Sequence, residues 1–442
     1  MTHLVVKPAD KITGEIHVPG DKSISHRVIM LGALAKGETV VKGFLPSGDC
    51  LATVECFRKL GIEMESRMLN VERRAQELII RGKGRRGLSQ PKGILNVGNS
   101  GTTIRLMTGI LAGQDFSSEI TGDSSIQKRP MMRIVKPLRE MGANIEGQGS
   151  RVKGQEEVYA PLLIRGQKIK GITYDLPVAS AQVKSAIMLA GLFAVGTTQV
   201  IEKNKSRDHT ERMFEYFGIG TGCEVSGMRE FEAREINVPG DLSSAAFFLV
   251  AALITYSSQL TIHNVGLNPT RTGIIDVLHR MGAEFEVRDE QIISGEPRGT
   301  IFVSRTFEHS NIRLKGIKID GEIVPRIIDE FPIIAVAATQ AEGITEIRGA
   351  RELRIKESDR IATISSELRK MGAKIQELDD GMIIEGPTKL KGAKVKSYGD
   401  HRIAMSLAIA GLIADGETII DDTACIETSF PGFEKLLHET LV

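Results

Sequence analysis

Near its N-terminus the chain reads Gly20-Asp-Lys-Ser-Ile-Ser-His-Arg27, followed by an apolar stretch, Val28 to Ala35, and then by Gly37-Glu-Thr-Val-Val41. Small polar and basic residues thus precede an apolar segment, and a glycine with a β-branched run follows it. A helix that is apolar nearly all round is expected to lie inside a core rather than on a surface. The stretch therefore predicts a buried helix with a polar, basic start and a strand after it.

The same order of elements recurs along the chain. Five further copies begin at Gly98-Asn-Ser-Gly-Thr-Thr-Ile-Arg105, Ala179-Ser-Ala-Gln-Val-Lys-Ser185, Val238-Pro-Gly-Asp-Leu-Ser-Ser244, Asp329-Glu-Phe-Pro332 and Tyr398-Gly-Asp-His-Arg402. Between the copies, amphipathic helices end in an apolar residue and a glycine, as in Lys59-Leu-Gly-Ile62 and Arg280-Met-Gly-Ala283. Such a glycine supplies the left-handed residue that ends a helix. Short matches arise by chance, but six copies in one order indicate an internal repeat.

The repeats predict an α/β (α+β) protein of two domains with a cleft between them. Each domain has three units of strand, apolar helix, strand, amphipathic helix and strand. We expect one domain to comprise residues 1–20 and 241–442, completed by the N-terminal strand Leu4 to Val6, and the other to comprise residues 21–240. The hinge is expected near Gly20 and Gly240, which both follow a proline.

Composition excludes several classes of protein. The chain has 442 residues, with 57 Lys+Arg against 56 Asp+Glu, so it lacks the basic excess of nucleic-acid and membrane-surface binders. Its four cysteines are too few for a disulfide framework and are typical of reduced thiols. The segment Met1 to Pro8 lacks the apolar core of a signal peptide. The longest apolar run, Ala245 to Ile254, is about half of the roughly 20 residues that span a bilayer. We predict a soluble cytoplasmic protein that binds neither nucleic acid nor membranes.

The starts of the apolar helices carry the chemistry. A helix N-terminus is a ready anion site, and these starts and nearby loops bear cations: Lys22, Arg27, Arg105, Arg129, Arg133, Lys184, Arg207, Arg402 and the run from Arg351 to Arg360. Any one of them alone would be interpreted as a solvated surface charge. Their joint placement favours a site for small, multiply charged phosphorylated or carboxylated substrates.

Standard motifs do not explain these cations. Gly82-Lys-Gly-Arg-Arg-Gly87 matches the dinucleotide fingerprint by letter, but Leu88-Ser-Gln-Pro91 follows it instead of an apolar helix, so we expect a basic loop. No His-x-x-x-His pair and no cysteine pair in ligand spacing occurs, so the sequence indicates no metal.

Two acidic sites have alternative interpretations. Asp329 and Glu330 open an apolar helix, where acids are favourable as caps. Glu357 lies among arginines and a lysine, where surface ion pairing is the ordinary explanation. A carboxylate held among cations is also how a general acid or base is presented to an anionic substrate.

Six segments together resemble one family. They are Lys22-Ser-Ile-Ser-His-Arg27, Gly98-Asn-Ser-Gly-Thr102, Lys128-Arg-Pro130, Ser180-Ala-Gln182, Arg354-Ile-Lys-Glu-Ser-Asp-Arg360 and Asp400-His-Arg402. In this order they resemble 5-enolpyruvylshikimate-3-phosphate (EPSP) synthases over essentially the whole chain. Arg129-Pro-Met-Met-Arg133, Ser180-Ala-Gln-Val-Lys184 and Asn268-Pro-Thr-Arg271 are similar to the second, bacterial class. The family fold, two domains of three βαβαββ units each, agrees with the repeats.

The resemblance implies a transferase of the shikimate pathway, which leads to chorismate and the aromatic amino acids. The enzyme would move the enolpyruvyl group of phosphoenolpyruvate to the 5-hydroxyl of shikimate 3-phosphate and release phosphate. It implies no metal and no organic cofactor, and glyphosate as a competitor for the phosphoenolpyruvate pocket. We further expect a monomer.

The resemblance also implies site residues. Catalytic residues would be Lys22, Asp329 and Glu357, with Glu357 as the acid that protonates the methylene carbon and Asp329 accepting from the reacting hydroxyl. Ligands of shikimate 3-phosphate would be Lys22, Ser23, Arg27, Ser180, Ala181, Gln182, Ser206, Arg207, Asp329 and Lys356. Ligands of phosphoenolpyruvate would be Lys22, Gly101, Thr102, Arg129, Gln182, Arg360 and Arg402. The sequence departs from the first class at Thr428, where that class has lysine, and at His209, where it has tyrosine.

Two alternatives remain open at this level. The sister enzyme that transfers enolpyruvate to UDP-N-acetylglucosamine carries Lys-Asn where this chain has Lys22-Ser23, and usually a loop cysteine near Asp123 to Arg133, where this chain has none. A non-catalytic anion-binding protein on the same fold is the other. The settings of Glu357 and Asp329 argue against it.

Overall fold

The computed structural model describes residues 2–70, 75–152, 155–305 and 314–441. They form two compact units. Unit 1 comprises Met1–Pro19, Pro239–Ile292 and Pro297–Val442, and unit 2 comprises Gly20–Val238 and Ile293–Glu296. The domain bounds and the hinge expected from the sequence stay predictions.

The regular elements alternate along the chain. The strands are β1 His3–Val6, β2 Lys11–His17, β3 Lys36–Lys42, β4 Glu63–Asn70, β5 Ala75–Lys83, β6 Leu95–Asn96, β7 Ser117–Thr121, β8 Asn144–Val152, β9 Gln155–Arg165, β10 Thr173–Asp175, β11 Thr197–Ile201, β12 Glu224–Ser226, β13 Ile236–Asn237, β14 Ser257–Gly266, β15 Glu286–Ile293, β16 Glu296–Arg305, β17 Lys318–Ile319, β18 Gly343–Ile347, β19 Lys374–Leu378, β20 Gly381–Gly386, β21 Lys394–Lys396 and β22 Thr418–Asp421. The α-helices are α1 Lys22–Leu34, α2 Gly48–Lys59, α3 Gly101–Ala112, α4 Met132–Glu140, α5 Ala181–Gly191, α6 His209–Phe217, α7 Leu242–Ile254, α8 Gly273–Arg280, α9 Val324–Ile327, α10 Phe331–Thr339, α11 Arg360–Lys370, α12 His401–Leu412 and α13 Phe433–Thr440.

The sheets of unit 2 share one plan. Their strand orders are β13-β3-β5-β4, β6-β7-β9-β8 and β10-β11-β12. In each sheet the first pair is parallel and the following pairs are antiparallel. A parallel pair requires a crossover, which the buried helix between its strands supplies in the second and third sheets. The repeat found in the sequence is therefore a repeat of this mixed sheet with its helices.

The sheets of unit 1 follow the same plan. Their orders are β15-β16-β14-β2, β17-β18-β20-β19 and β1-β22-β21, with parallel pairs β2–β14, β17–β18 and β21–β22. The N-terminal strand β1 pairs antiparallel with β22, His3 opposite Asp421 and Val6 opposite Thr418. Strands from both ends of the chain thus form one sheet of unit 1. The mixed α/β architecture agrees with the predicted fold class.

Six apolar helices form the cores, as the sequence predicts. Helices α1, α3 and α5 are buried in unit 2, and α7, α10 and α12 are buried in unit 1. In α1 every residue from Ile24 to Leu34 is buried, and in α7 every residue from Leu242 to Leu253 is. The prediction of buried, all-round apolar helices is confirmed. Each is inaccessible along its length, so only its start can present chemistry to a ligand.

Local signals at the helix ends act as predicted, with one exception. The glycines that end the amphipathic helices have left-handed backbones, for example φ of +87° at Gly61 and +84° at Gly282. Side chains cap most of the buried helices, as Asp21 does by accepting from the N–H of Ile24 at 2.8 Å. The exception is α10, whose N-cap residue Glu330 makes no side-chain cap bond. Acid capping therefore does not explain Asp329 and Glu330.

The basic run Gly82 to Gly87 forms no dinucleotide site. Strand β5 ends at Lys83, and a turn closes with the N–H of Gly87 donating to the carbonyl oxygen of Gly84 at 2.9 Å. No helix follows this turn, as expected from the polar residues after it.

Among the described residues, no helix is long and apolar enough to cross a membrane.

Candidate functional site

In unit 2, the start of α1 brings Lys22 and His26 to the polar end of a buried helix. The Nζ atom of Lys22 lies 3.1 Å from Oδ2 of Asp49. One turn on, the Nδ1 atom of His26 lies 2.8 Å from Oγ1 of Thr53, and the histidine is fully buried. Burial, with the charges of Lys22 and Arg27 added, holds the pKa of His26 well below its ordinary value. Its surroundings therefore favour the neutral form of His26.

Arg27 is buried on the same helix and is held by neutral groups. Its Nε donates to Oγ1 of Thr210 at 2.7 Å, Nη2 to Oγ of Ser185 at 2.7 Å, and Nη1 to the carbonyl oxygen of Ser23 at 2.9 Å. Burial lowers the pKa of Arg27 to about 10, although Glu211 and Asp21 partly offset it. A guanidinium has five N–H donors, so these bonds fix its orientation without using all of them.

Two arginines converge on the start of α3. If Gly101 carried a Cβ atom, that atom would lie 2.8 Å from Nη1 of Arg105 and 2.9 Å from Nη1 of Arg129. Arg129 also donates to Oδ1 of Asn99 at 2.7 Å, and Arg105 donates to Oε1 of Gln182 at 2.8 Å. The positive end of the helix and two guanidinium groups therefore share one place, which suits a carboxylate or a phosphate.

Gln182 links this place to the start of α5. Its Nε2 donates to Oγ1 of Thr102 at 3.1 Å, while Ser180 caps α5 and Ala181 is the first residue of the helix. The structure thus brings Gly101, Thr102, Arg129 and Gln182 together in unit 2. Ser206 is buried and Arg207 partly buried in the loop before α6.

Lys184 is an exception to the expectation that cations at helix starts face an anion. Its Nζ atom lies 2.7 Å from Oε2 of Glu202 and 2.5 Å from Oε1 of Glu211, and only 1% of its side chain is exposed. Burial opposes the charge of Lys184, but the two glutamates outweigh it and raise its pKa. The place of Lys184 in the anion site stays a prediction. Lys184 is already neutralised by two carboxylates.

The same glutamates take part in a possible metal-binding group. Within the part of the chain that the structure describes, ligand atoms of Glu202, Glu211 and Cys223 lie within 4.8 Å of one another. The ammonium group of Lys184 contacts both carboxylates, and Glu202 also accepts from the hydroxyl of Ser206. Both carboxylates therefore already accept from protein donors, and we propose no metal ion here.

In unit 1, Arg360 lies among three carboxylates at the start of α11. Its Nε donates to Oδ2 of Asp400 at 2.8 Å, Nη1 to Oδ1 of Asp329 at 3.1 Å, and Nη2 to Oε2 of Glu357 at 2.6 Å. Burial works against its charge, but Asp400, Glu357 and Asp329 raise the pKa of the guanidinium. Arg360 is a permanent cation that fixes both acids expected to move protons.

Arg402 and Lys356 complete this cluster. Arg402, at the start of α12, lies with Nη2 at 3.5 Å from Oδ2 of Asp329, and its Nη1 donates to the carbonyl oxygen of the same residue at 3.2 Å. Lys356 is partly buried, and burial lowers its pKa, although Asp329 partly offsets this effect. Unit 1 thus brings together Asp329, Lys356, Glu357, Arg360 and Arg402.

Sequence reasoning missed two buried pairings in unit 1, of which only that of Asp400 holds this cluster. Asp400 pairs with Arg360, caps α12 and accepts from the hydroxyl of Ser358 at 3.1 Å. Arg271 is buried and donates to Oγ of Ser243 at 2.6 Å, with its Nη2 at 3.7 Å from Oε1 of Glu330. Both lie in segments that the sequence singled out. Arg271 and Glu330 are far apart along the chain, so no short-range pattern in the sequence predicts that they lie close together.

The two departures from the first-class pattern have partners of their own. Thr428 donates to the carbonyl oxygen of Cys425 at 2.6 Å. His209 is buried in unit 2, with Nδ1 at 2.7 Å from Oε1 of Glu296. Neither residue is the one that the first class carries, and no role is assigned to either.

Comparison with known proteins places the chain. A family model described as EPSP synthase (3-phosphoshikimate 1-carboxyvinyltransferase) matches residues 6–437. The chain belongs to the EPSP synthase family. The resemblance inferred from six short segments is thereby confirmed for the whole chain, and this family membership makes the chain a transferase of aromatic amino acid biosynthesis.

Several EPSP synthases are similar over their full length. A 3-phosphoshikimate 1-carboxyvinyltransferase of Bacillus thuringiensis (strain Al Hakam) is 53% identical, with 99% of each chain covered. One of Brevibacillus brevis is 53% identical, with 98% of this chain and 99% of the relative covered. A solved EPSP synthase structure from Acinetobacter baumannii is 44% identical, has a TM-score of 0.85 and covers 99% of this chain and 98% of its own. Nothing in these similarities favours the UDP-N-acetylglucosamine enzyme.

Proposed function

We propose that this chain transfers the enolpyruvyl group of phosphoenolpyruvate to the 5-hydroxyl of shikimate 3-phosphate, using the residues assembled above. The observation that carries the proposal is Arg360, which holds Asp329 and Glu357, an expected base and an expected acid, on one guanidinium. A reaction that adds a hydroxyl across a double bond needs one proton removed and another delivered. Arg360 holds the carboxylates of Asp329 and Glu357 in fixed positions relative to each other.

The addition step divides the work between the two acids. Asp329 accepts the proton of the 5-hydroxyl as its oxygen bonds to C2 of phosphoenolpyruvate, and Glu357 delivers a proton to C3, which becomes a methyl group. In the elimination step C3 returns a proton to Glu357, and the bond from C2 to the phosphate oxygen breaks. The proton that Asp329 took from the hydroxyl passes to the phosphate that leaves, so both carboxyl groups return to their starting states. One carboxylate can serve both directions of transfer because it is acid in one step and base in the next.

The cations offset the charge of the substrates. Two substrates that each carry a phosphate and a carboxylate bring about five or six negative charges, and charge-assisted hydrogen bonds contribute about 1.5–3 kcal/mol each. The proposed ligands of phosphoenolpyruvate are Lys22, Gly101, Thr102, Arg129, Gln182, Arg360 and Arg402. The proposed ligands of shikimate 3-phosphate are Lys22, Ser23, Arg27, Ser180, Ala181, Gln182, Ser206, Arg207, Asp329 and Lys356.

The decisive experiment measures phosphate release on mixing the protein with both substrates. We expect release that needs both phosphoenolpyruvate and shikimate 3-phosphate, and none when UDP-N-acetylglucosamine replaces the latter. Glu357→Gln is the matched control, because it keeps the size of the side chain and removes its acid. Binding of both substrates without release would support the non-catalytic alternative instead. The cytoplasmic location, the monomeric state and the lack of nucleic-acid or membrane partners stay predictions.

A further inference from the structure

The segment that carries Lys356 and Glu357 has no regular structure of its own. A 3-10 helix, Arg351–Ile355, ends just before it, and α11 begins just after it at Arg360. Residues 356–359 lie outside the helices and strands of the described chain. Side chains therefore set their position, among them Ser358, which donates to Asp400, and Glu357, which accepts from Arg360. Arg360 fixes one end through Asp400, and the other end requires a separate anchor.

Arg354 supplies that anchor by reaching the turn between β19 and β20. Its Nη2 donates to the carbonyl oxygen of Leu378 at 2.6 Å and its Nε to that of Asp379 at 3.2 Å. Its Nη1 donates to Oε1 of Glu377 at 2.6 Å. All three acceptors belong to one hairpin, in which β19 and β20 pair in register from Lys374 to Leu378. The guanidinium is thus fastened to a rigid part of the sheet.

The same guanidinium holds the far end of the segment. Nη1 of Arg354 also donates to Oδ2 of Asp359 at 2.8 Å, while Oδ1 of Asp359 caps α11 by accepting from the N–H of Ala362 at 3.0 Å. Arg354 and Asp359 therefore close a loop around Lys356 and Glu357. A planar group with N–H donors in a fixed fork can satisfy four acceptors at once, and a lysine cannot.

We propose that Arg354 is a positioning residue, which holds Lys356 and Glu357 in place by tying their segment to the β19–β20 turn. This inference rests on the proposed function and adds to it a residue that touches no substrate. An ordinary exposed ion pair contributes little to stability. Arg354 differs because two of its four acceptors are backbone carbonyl oxygens of a hairpin.

The test compares Arg354→Lys with Arg348→Lys. Arg348 contacts the same turn, with its Nε 2.9 Å from Oδ1 of Asp380, but it lies outside the segment. We expect Arg354→Lys to lower kcat by about 10- to 100-fold, because a small misplacement of reacting groups has effects of that order. Arg348→Lys should stay close to the parent protein in kcat and melting temperature, and Arg354→Lys should stay folded with a somewhat lower melting temperature.

A double-mutant cycle separates positioning from general damage. If Arg354 acts through Glu357, then Arg354→Lys should lower the slow residual turnover of Glu357→Gln little further. Release of the segment should also let the pKa of Lys356, which burial lowers, return toward its ordinary value. The alkaline limb of the kcat profile should then move to higher pH in Arg354→Lys. Loss of packing elsewhere would produce neither the coupling between Arg354 and Glu357 nor the shift of the alkaline limb.

Each outcome decides the inference. An unchanged kcat in folded Arg354→Lys, or losses that add fully with Glu357→Gln, would overturn it. If Arg354→Lys does not fold, Glu377→Leu removes one acceptor and leaves the arginine, and we expect a smaller loss of kcat in the same direction; no loss there would overturn the inference too. Absence of phosphate release by the parent protein would instead overturn the proposed function and this inference with it.

Discussion

The Nη1 atom of Arg129 lies 2.9 Å from the point where a Cβ atom would project from Gly101. This distance is shorter than Cβ contacts in real structures, so any side chain at this position must displace a guanidinium group. Glycine therefore does more here than start a helix. It leaves room for the arginines that we propose bind phosphoenolpyruvate.

The first prediction is that Gly101→Ala raises the inhibition constant for glyphosate more than the KM for phosphoenolpyruvate. The methyl group crowds Arg105 and Arg129 and shortens the pocket, which affects the longer inhibitor more. One methyl group is worth about 1–3 kcal/mol, or roughly 10–200-fold. Steady-state kinetics measure both constants. Gly149→Ala is the control, because no atom lies within 4 Å of its added Cβ. Equal weakening of substrate and inhibitor would show that Gly101 does not line the pocket.

The second prediction concerns Lys22 and Arg129. Lys22→Ala and Arg129→Ala should each lower kcat/KM for phosphoenolpyruvate by roughly 10- to 150-fold, the equivalent of about 1.5–3 kcal/mol for a charged hydrogen bond. The melting temperature should change little. Lys42→Ala removes an exposed lysine paired with Glu235 and serves as the control. Kinetics like those of the parent protein in either variant would remove that residue from the site.

The third prediction concerns proton transfer to carbon. Glu357→Gln should abolish exchange of solvent hydrogen into the methylene group of phosphoenolpyruvate, while binding of shikimate 3-phosphate remains. Mass spectrometry of recovered substrate measures the exchange, and calorimetry measures binding. Glu385→Gln, on an exposed glutamate that pairs with Lys374, should exchange normally. Normal exchange in Glu357→Gln would mean that another group is the acid.

The fourth prediction is a pH dependence that arises from Lys356. Burial lowers the pKa of this lysine, so its charge is lost as pH rises through a value below the ordinary 10.5. If the charged form supports Asp329, kcat should fall earlier on the alkaline side than an ordinary lysine would cause. Lys356→Arg should extend the alkaline limb to higher pH, because a guanidinium stays charged. An identical limb in parent and variant would show that Lys356 does not cause it.

The fifth prediction concerns stability and His26. Because the pKa of His26 is held below its ordinary value of 6.5, the unfolded chain binds a proton that the folded protein does not. The free energy of unfolding should therefore fall as pH drops below about 6.5, by up to about 1.4 kcal/mol per pH unit from this residue. Urea unfolding at several pH values measures the slope. His26→Gln should show a shallower slope than the parent protein, and equal slopes would contradict the assignment.

Much of the fold could be predicted because its signals are local. The apolar run from Val28 to Ala35 and the glycine at position 61 act within one or two turns, so α1 and the end of α2 follow from the residues themselves. Partners that are far apart in sequence could not be predicted in this way. Lys184 has the same setting as Lys22 in the sequence, yet it pairs with two carboxylates, those of Glu202 and Glu211, and Lys22 pairs with one, that of Asp49, because only the folded chain brings these groups together.

The candidate site shows the same division between local and distant information. The motif Arg354 to Arg360 is visible as a cluster of charges, and its resemblance to a known family assigns roles to its members. The acceptors that anchor Arg354 to the hairpin lie 23 to 25 residues further on in the sequence. Every residue has a backbone carbonyl group, so the sequence does not show which of them accepts a hydrogen bond from Arg354. Contacts of this kind become visible only when the turn is in place.

The pairing of β1 with β22 sets the order in which the chain can be completed during synthesis. Val6 is opposite Thr418 and His3 is opposite Asp421, so β1 can pair only after β22 has been synthesised. At ~5–20 residues per second, the ribosome needs on the order of 20 to 80 s to make the intervening chain. Almost all of unit 2 emerges in that interval as one continuous stretch and can fold early. The sheet that joins the two ends is then the last to form, and until it forms the newborn chain carries an unpaired edge that a chaperone could protect.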